Sequence, residues 1–283
     1  RHAVPHVRCG KLIVALDDSE LAGLEALKAQ GEANGAEGLE VIDAEAIRRS
    51  EPHAAGVAAL RSPHTGVVEP ETLVHALAHS LEAAGGYLLT GTGLVGAHLT
   101  SDGMLLRTER ESICARVVVN AAGLFADQVS AMLEGESFTI HPCRGEYAEL
   151  APSRAHLVNA LVYPLPNASG HGLGVHLTRT TRGTVLVGPT VRHQDSRYDY
   201  ESGRAAFGTF VEPARRLIPG LAPGDLRLGG SGIRPNLNSP EESFADFLIR
   251  RDRLNPRIIH AAGINSPGLT ACLAIGRLVA SLV

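Results

Sequence analysis

The sequence has no excess of basic residues: 26 lysines and arginines stand against 30 aspartates and glutamates, a net charge of −4. A chain that neutralises phosphates carries the opposite balance, so nucleic acid is excluded as the main partner. No apolar run reaches the ~18 residues of a membrane span. The longest candidate, Leu269 to Val283, is broken by Gly276 and Arg277. The four cysteines (Cys9, Cys114, Cys143 and Cys272) share no metal or redox spacing. They fit a reducing compartment rather than a disulfide framework. The expectation is therefore a cytoplasmic protein, with peripheral membrane association left open. No H-E-x-x-H, P-loop or G-x-S-x-G run occurs, which sets aside metalloprotease, P-loop NTPase and α/β-hydrolase chemistry. No metal ligand set is expected, and no internal repeat or low-complexity segment is visible.

What is present, 44% hydrophobic and 20% charged over 283 residues, suffices for one large domain or two interleaved ones. Two segments share one design. Val117-Val118-Val119-Asn120-Ala121-Ala122-Gly123 opens with a β-branched run that suits a central strand covered on both faces. It passes through Gly123 into a helix from Phe125 to Leu133. Ile258 to Ala262 is a short bounded apolar run, hence a buried strand. Gly263 turns it toward a helix that Ser266 can cap, with Pro267 in the first position. Leu269, Leu273 and Gly276 recur on one face of that helix. Such a strand–glycine–helix end leaves unpaired N–H groups aimed outward, suited to a phosphate, a carboxylate or a flavin edge. It equally describes an ordinary β–α corner.

Other elements follow from local signals. Cys9 to Ala15 reads as a strand, and Asp17-Asp18-Ser19 caps a helix that Gly31 ends. Asp43 starts a short helix that stops before Pro52. Pro70 opens a helix carrying Leu73, Leu77 and Leu81, ended by Gly85-Gly86. Short strands follow at Tyr87 to Leu89 and Val95 to Leu99, and Asp102-Gly103 turns the chain into Met104 to Thr108. From about Phe138 to Leu254 extended segments dominate, with one helical patch at Phe207 to Leu217 and a hairpin turn at Arg182-Gly183. The fold class expected is α/β, α+β overall. An antiparallel-sheet domain (1–55 and 137–256) is interleaved with a discontinuous Rossmann-like one (56–136 and 257–283).

Two side chains stand out for chemistry. Arg234, held between Gly232 and Pro235, can grip a carboxylate through two parallel hydrogen bonds, or make a structural ion pair. His176 lies on the strand face opposite Val175 and Leu177. A neutral histidine there can take a hydroxyl proton, or sit as an ordinary hydrogen-bonded sheet residue. His171, His141 and His64 are weaker candidates, and Lys11 reads as a solvated strand residue.

Four runs occur in order: Val119 to Asp127, Gly174-Val175-His176-Leu177-Thr178, Gly232-Ile233-Arg234-Pro235 and Gly263 to Thr270. Together with Gly10 to Ala15 and Tyr163-Pro164-Leu165-Pro166, the series resembles the FAD-dependent oxidoreductases related to D-amino-acid oxidase. It is most similar to their L-2-hydroxyglutarate dehydrogenase-like branch. The resemblance covers essentially the whole chain. It implies FAD as cofactor and a small carboxylate substrate, oxidised by hydride transfer to flavin. It assigns the substrate carboxylate to Arg234, places Arg144 and Tyr147 near the substrate, and makes His176 the candidate base. For the cofactor it implies Leu94, Ala122 and Gly123, together with Gly263, Ile264, Asn265, Ser266, Pro267, Gly268, Leu269 and Thr270. Amino-acid or amine oxidation and glycerol 3-phosphate oxidation stay open as alternatives. One departure stands out: the family opens with a strand and a G-x-G-x-x-G turn for the FAD pyrophosphate. Gly91-x-Gly93-x-x-Gly96 has those letters but precedes no long helix, and reads as a glycine-rich turn. The resemblance places about 80 residues before Arg1, comprising that first strand, the glycine turn and their helix. An FAD-free fragment is therefore a further alternative, and oligomeric state is not legible.

Overall fold

The computed structural model describes residues 2–166, 174–242 and 244–283. The chain divides into two units: residues 1–80, 145–191 and 201–232 form the first, and 81–144, 192–200 and 233–283 the second.

In the first unit, strand Lys11–Ala15 lies inside a sheet because both of its faces can be buried. It pairs in parallel with Leu161–Pro164 and antiparallel with Ala58–Ser62, which in turn pairs with Glu40–Asp43. On the far side of Leu161–Pro164 come His176–Arg179, then Val185–Gly188, then strand His141–Leu150 through Ala148 and Glu149. Leu12, Val14, Val162, Leu177, Val187 and Ala148 share one face. They pack against Phe210, Val211, Ala214 and Leu217 of helix Gly208–Leu217. Ile13, Ala15, Ala58 and Leu60 point the other way, onto Leu24 of helix Leu21–Ala33. That helix outruns Gly31, where the sequence pattern ends it. The closing turn comes later, with the Ala36 N–H donating to the Gly31 carbonyl. Asp43 caps helix Ala44–Ser50 as its position predicts, accepting from the Ala46 N–H at 2.8 Å.

The second unit holds a three-stranded sheet with Ile258–Ala262 at its centre, all five residues buried. Val118–Asn120 pairs with it in parallel and Leu248–Arg251 antiparallel. A separate meander of Leu94–Leu99, Met104–Thr108 and Ser112–Ala115 turns at Asp102-Gly103. Ala97 and Met104 of this meander share a buried cluster with Leu133 and Ile258. Two strand expectations fail. Val118–Asn120 is a three-residue edge strand rather than a strand covered on both faces, and Val119 is 40% exposed. Among the described residues it has one neighbour, so one edge and part of a face lack cover. Tyr87 to Leu89 forms no strand, having no partner among the described residues, and all three side chains are exposed. No described helix is long and apolar enough to cross a membrane.

Candidate functional site

In the first unit the strand registers decide which side chains meet. His176 pairs with Gly188, and Leu177 with both Val162 and Val187, so His176, Tyr163 and Tyr147 share one face. Lys11, paired with Leu161, is on that same face one strand further. The Tyr163 and His176 rings stack at 3.8 Å between centroids, 15° from parallel. Lys11 Nζ lies 5.1 Å from the Tyr163 centroid. Gly188 separates Tyr147 from His176 in the register. Its φ is +149°, and a Cβ there would stand 2.8 Å from the Tyr147 ring. Only glycine leaves that space.

His176 is buried, and its Nδ1 is 2.9 Å from the Gly174 carbonyl oxygen. A carbonyl only accepts, so Nδ1 carries a proton. Burial pushes the Tyr163 phenol up, against the opposing pull of its Thr178 hydrogen bond. Burial pushes the Lys11 ammonium down. Lys11 is thus half-buried rather than solvated, and no described carboxylate pairs with it.

The second unit holds the remaining expected residues. Arg234 lies in strand Leu226–Asn236, half-buried, with Nη1 3.9 Å from Cys143 Sγ. No ion pair involves it among the described residues. Arg144 is wholly buried, with Nη1 3.3 Å from the Asp199 carbonyl. Two residues beyond Arg234, Asn236 Oδ1 accepts from Asn265 Nδ2 at 2.7 Å, tying this strand to the Gly263–Thr270 turn. Gly263 has φ +68° and abuts Leu237, with 2.3 Å left for a Cβ. The helix begins at Gly268, after Pro267, and Ser266 does not cap it. A turn closed by the Gly268 N–H on the Asn265 carbonyl precedes it instead, leaving Ser266 exposed. The N–H groups of Leu269 and Thr270 find no acceptor among the described residues. Gly123 has φ +54° and open space around it, while Ala122 N–H reaches Asn120 Oδ1 at 3.4 Å. Leu94 starts its strand and packs on the Met104 cluster.

The registers therefore bring His176 and Tyr147 onto one face of the first unit. In the second, a hydrogen bond links the Arg234 strand to Asn265. His141 opens its strand half-buried, His64 is exposed, and His171 lies outside the described residues.

A buried polar network in the second unit went unread. His260 Nε2 donates to Asp252 Oδ2 at 2.7 Å, and Asn120 Nδ2 lies 3.4 Å from His260 Nδ1. Burial would raise the Asp252 carboxyl, but the Glu136 N–H, His260 and the Asn255 and Leu254 N–H groups hold it down to about 2. Glu136 completes a trio with Asp252 and His260 whose ligand atoms lie within 4.8 Å of one another. Arg250 already answers Glu136 with bonds of 2.5 and 2.8 Å, so the trio is a structural lock rather than a cation site. A signal was available: Asn120 and His260 occupy matching places, three residues before the glycine of each strand–glycine–helix unit, and are register partners.

Comparison with known proteins accords with this architecture. Residues 1–282 match the DAO family of FAD dependent oxidoreductases. L-2-hydroxyglutarate dehydrogenase of Escherichia coli (strain K12) is 30% identical over 319 residues, covering 100% of this chain and 75% of that protein. The enzyme of that name from Indibacter alkaliphilus is 28% identical, covering 98% and 77%. Among solved structures, the FAD-bound L-alpha-glycerophosphate oxidase of Mycoplasma pneumoniae superposes with a TM-score of 0.87. It is 26% identical and covers 99% of this chain and 73% of its own. Glycine oxidase from Geobacillus kaustophilus shares the fold, with a TM-score of 0.80 at 22% identity. The chain belongs to the DAO family of FAD-dependent oxidoreductases, and FAD is its cofactor.

Proposed function

We propose that this oxidoreductase acts on a small 2-hydroxy acid of the L-2-hydroxyglutarate type. The observation that carries the reading is the His176 ring, held in one orientation by the Gly174 carbonyl at Nδ1 and by stacking on Tyr163. Oxidising an alcohol to a ketone removes a hydride from carbon and a proton from oxygen. His176 takes the hydroxyl proton as the carbon–oxygen single bond becomes a carbonyl. The flavin, when bound, supplies the hydride acceptor. Arg234 pairs with the carboxylate next to the reacting carbon, its half-buried guanidinium favouring an anion in a dry setting. Tyr147 is assigned a hydrogen bond to substrate and Arg144 the support of its strand. Gly263 to Thr270, with Leu94, Ala122 and Gly123, are assigned to the cofactor. The Leu269 and Thr270 N–H groups suit the negative charge that a reduced flavin carries. The naming of the 28–30% identical relatives supports the substrate class.

The protein, supplied with FAD, is expected to hold a yellow flavin that L-2-hydroxyglutarate bleaches without oxygen. Colour that persists with this acid rejects the reading. Bleaching by glycerol 3-phosphate instead would favour the second reading, which the 0.87 TM-score to glycerophosphate oxidase motivates.

A further inference from the structure

We infer that Lys11 is the specificity residue for a second carboxylate, the one remote from the reacting carbon. The inference rests on the proposed 2-hydroxy-acid reading and deepens it.

Three observations point there. First, Lys11 is a half-buried ammonium with no carboxylate partner among the described residues. A desolvated cation without a counter-ion is costly to hold, and a ligand anion relieves that cost. Burial pushing the ammonium down reflects the same uncompensated charge. Second, Lys11 shares a sheet face with His176, the two flanking the Tyr163 strand on opposite sides. Third, the spacing fits. The contacts of Lys11 and His176 with the Tyr163 ring bound Nζ to within about 9 Å of the His176 ring. A five-carbon 2-hydroxy diacid separates its hydroxyl from its far carboxylate by roughly 5 Å, so with a hydrogen bond of about 2.8 Å at each end it reaches both groups without lying fully in line. A 2-hydroxy monoacid of the same length leaves the ammonium unmatched, and leaving a buried charge unpaired is what discriminates between such ligands.

The holoenzyme, Lys11→Met and Lys11→Arg are to be compared on L-2-hydroxyglutarate and L-2-hydroxyvalerate, after circular dichroism confirms that each is folded. Binding of 2-oxoglutarate and 2-oxovalerate, followed calorimetrically, gives a readout independent of turnover. The expected result is a diacid-over-monoacid preference in kcat/KM that falls about 10- to 100-fold in Lys11→Met. A parallel fall in calorimetric preference should appear, with Lys11→Arg in between. A preference unchanged in both measurements overturns the inference, whether or not overall activity drops. If Lys11→Met does not fold, Lys11→Gln replaces it under the same criterion. Should the wild type oxidise neither acid, the 2-hydroxy-acid reading fails. The calorimetric preference still decides on Lys11.

Discussion

At the scale of single residues, two side chains of different chemistry invite different kinetic signatures. His176 acts on a proton that moves only in the transition state. Replacing it with glutamine, which keeps a polar group without a comparable base, should lower kcat by about 10² to 10⁴ with a small change in KM. Steady-state kinetics on the 2-hydroxy acid checks this, and a loss confined to KM would remove His176 from the proton's path. Arg234 offers a planar fork that a lysine cannot reproduce. Arg234→Lys should raise KM about 10-fold or more while kcat changes less. Equal and large losses in kcat alone would instead place Arg234 in the reacting step. Tyr163 gains a role that no sequence signal announces, because its contacts with Lys11 and His176 exist only once three strands align.

At the scale of elements, glycines set the geometry that these side chains depend on. Gly188 has a positive φ and lies against the Tyr147 ring. Gly188→Ala should cost about 1 to 3 kcal/mol by backbone strain and displaced ring together. Denaturant unfolding measures it, and a change under 0.5 kcal/mol would mean that the strand relaxes freely. The two strand–glycine–helix units were legible because their signals are local: a β-branched or apolar run, a glycine, then a helical pattern. The α+β class, the helix at Pro70–Ala83 and the Asp43 cap were legible for the same reason. What escaped depends on partners distant in sequence. Tyr87 to Leu89 has strand propensity but no neighbouring strand among the described residues, and Val119 has one neighbour instead of two. The start of the last helix moved from Pro267, capped by Ser266, to Gly268 because Asn265, bonded to Asn236 in another strand, fixes the preceding turn. The row from Tyr147 to Lys11 spans five strands, and no local pattern carries a register. Lys11 looked solvated for that reason.

At the scale of the whole molecule, individual buried carboxylates respond to acid with opposite signs. In the second unit, Asp252 is held down to about 2 against an ordinary value of 3.8. Asp127 is also lowered; burial opposes the shift, but the Arg197 bonds and the Ile140 and Gln128 N–H groups prevail. Glu136 is lowered chiefly by its hydrogen bonds from Arg250. A carboxylate with a depressed folded pKa stabilises fully above its unfolded value, and that stability is lost as pH falls through the folded one. For Asp252, whose side chain is wholly buried, the contribution is about 2 kcal/mol, lost between roughly pH 4 and pH 2. For Glu51, in the first unit, the sign reverses. Burial raises Glu51 despite the Asn159 and Ala160 N–H groups it accepts from. Its contribution is present below the unfolded value of 4.5 and is lost as pH rises through the folded one. Asp17, a lowered carboxylate in the first unit, is exposed, and water screens it. Loss of the Asp252 carboxylate in acid should therefore loosen the second unit. Pepsin digestion near pH 3 is expected to cut first within 81–144 and 233–283, leaving longer-lived fragments of 1–80 and 145–191. Asp252→Asn should weaken the protein at neutral pH by about 2 kcal/mol and flatten the acid transition, since the group that titrates is gone. If the first cuts instead fell within 1–80, or if Asp252→Asn unfolded with the wild-type pH dependence, the Asp252–His260 lock would not govern acid stability.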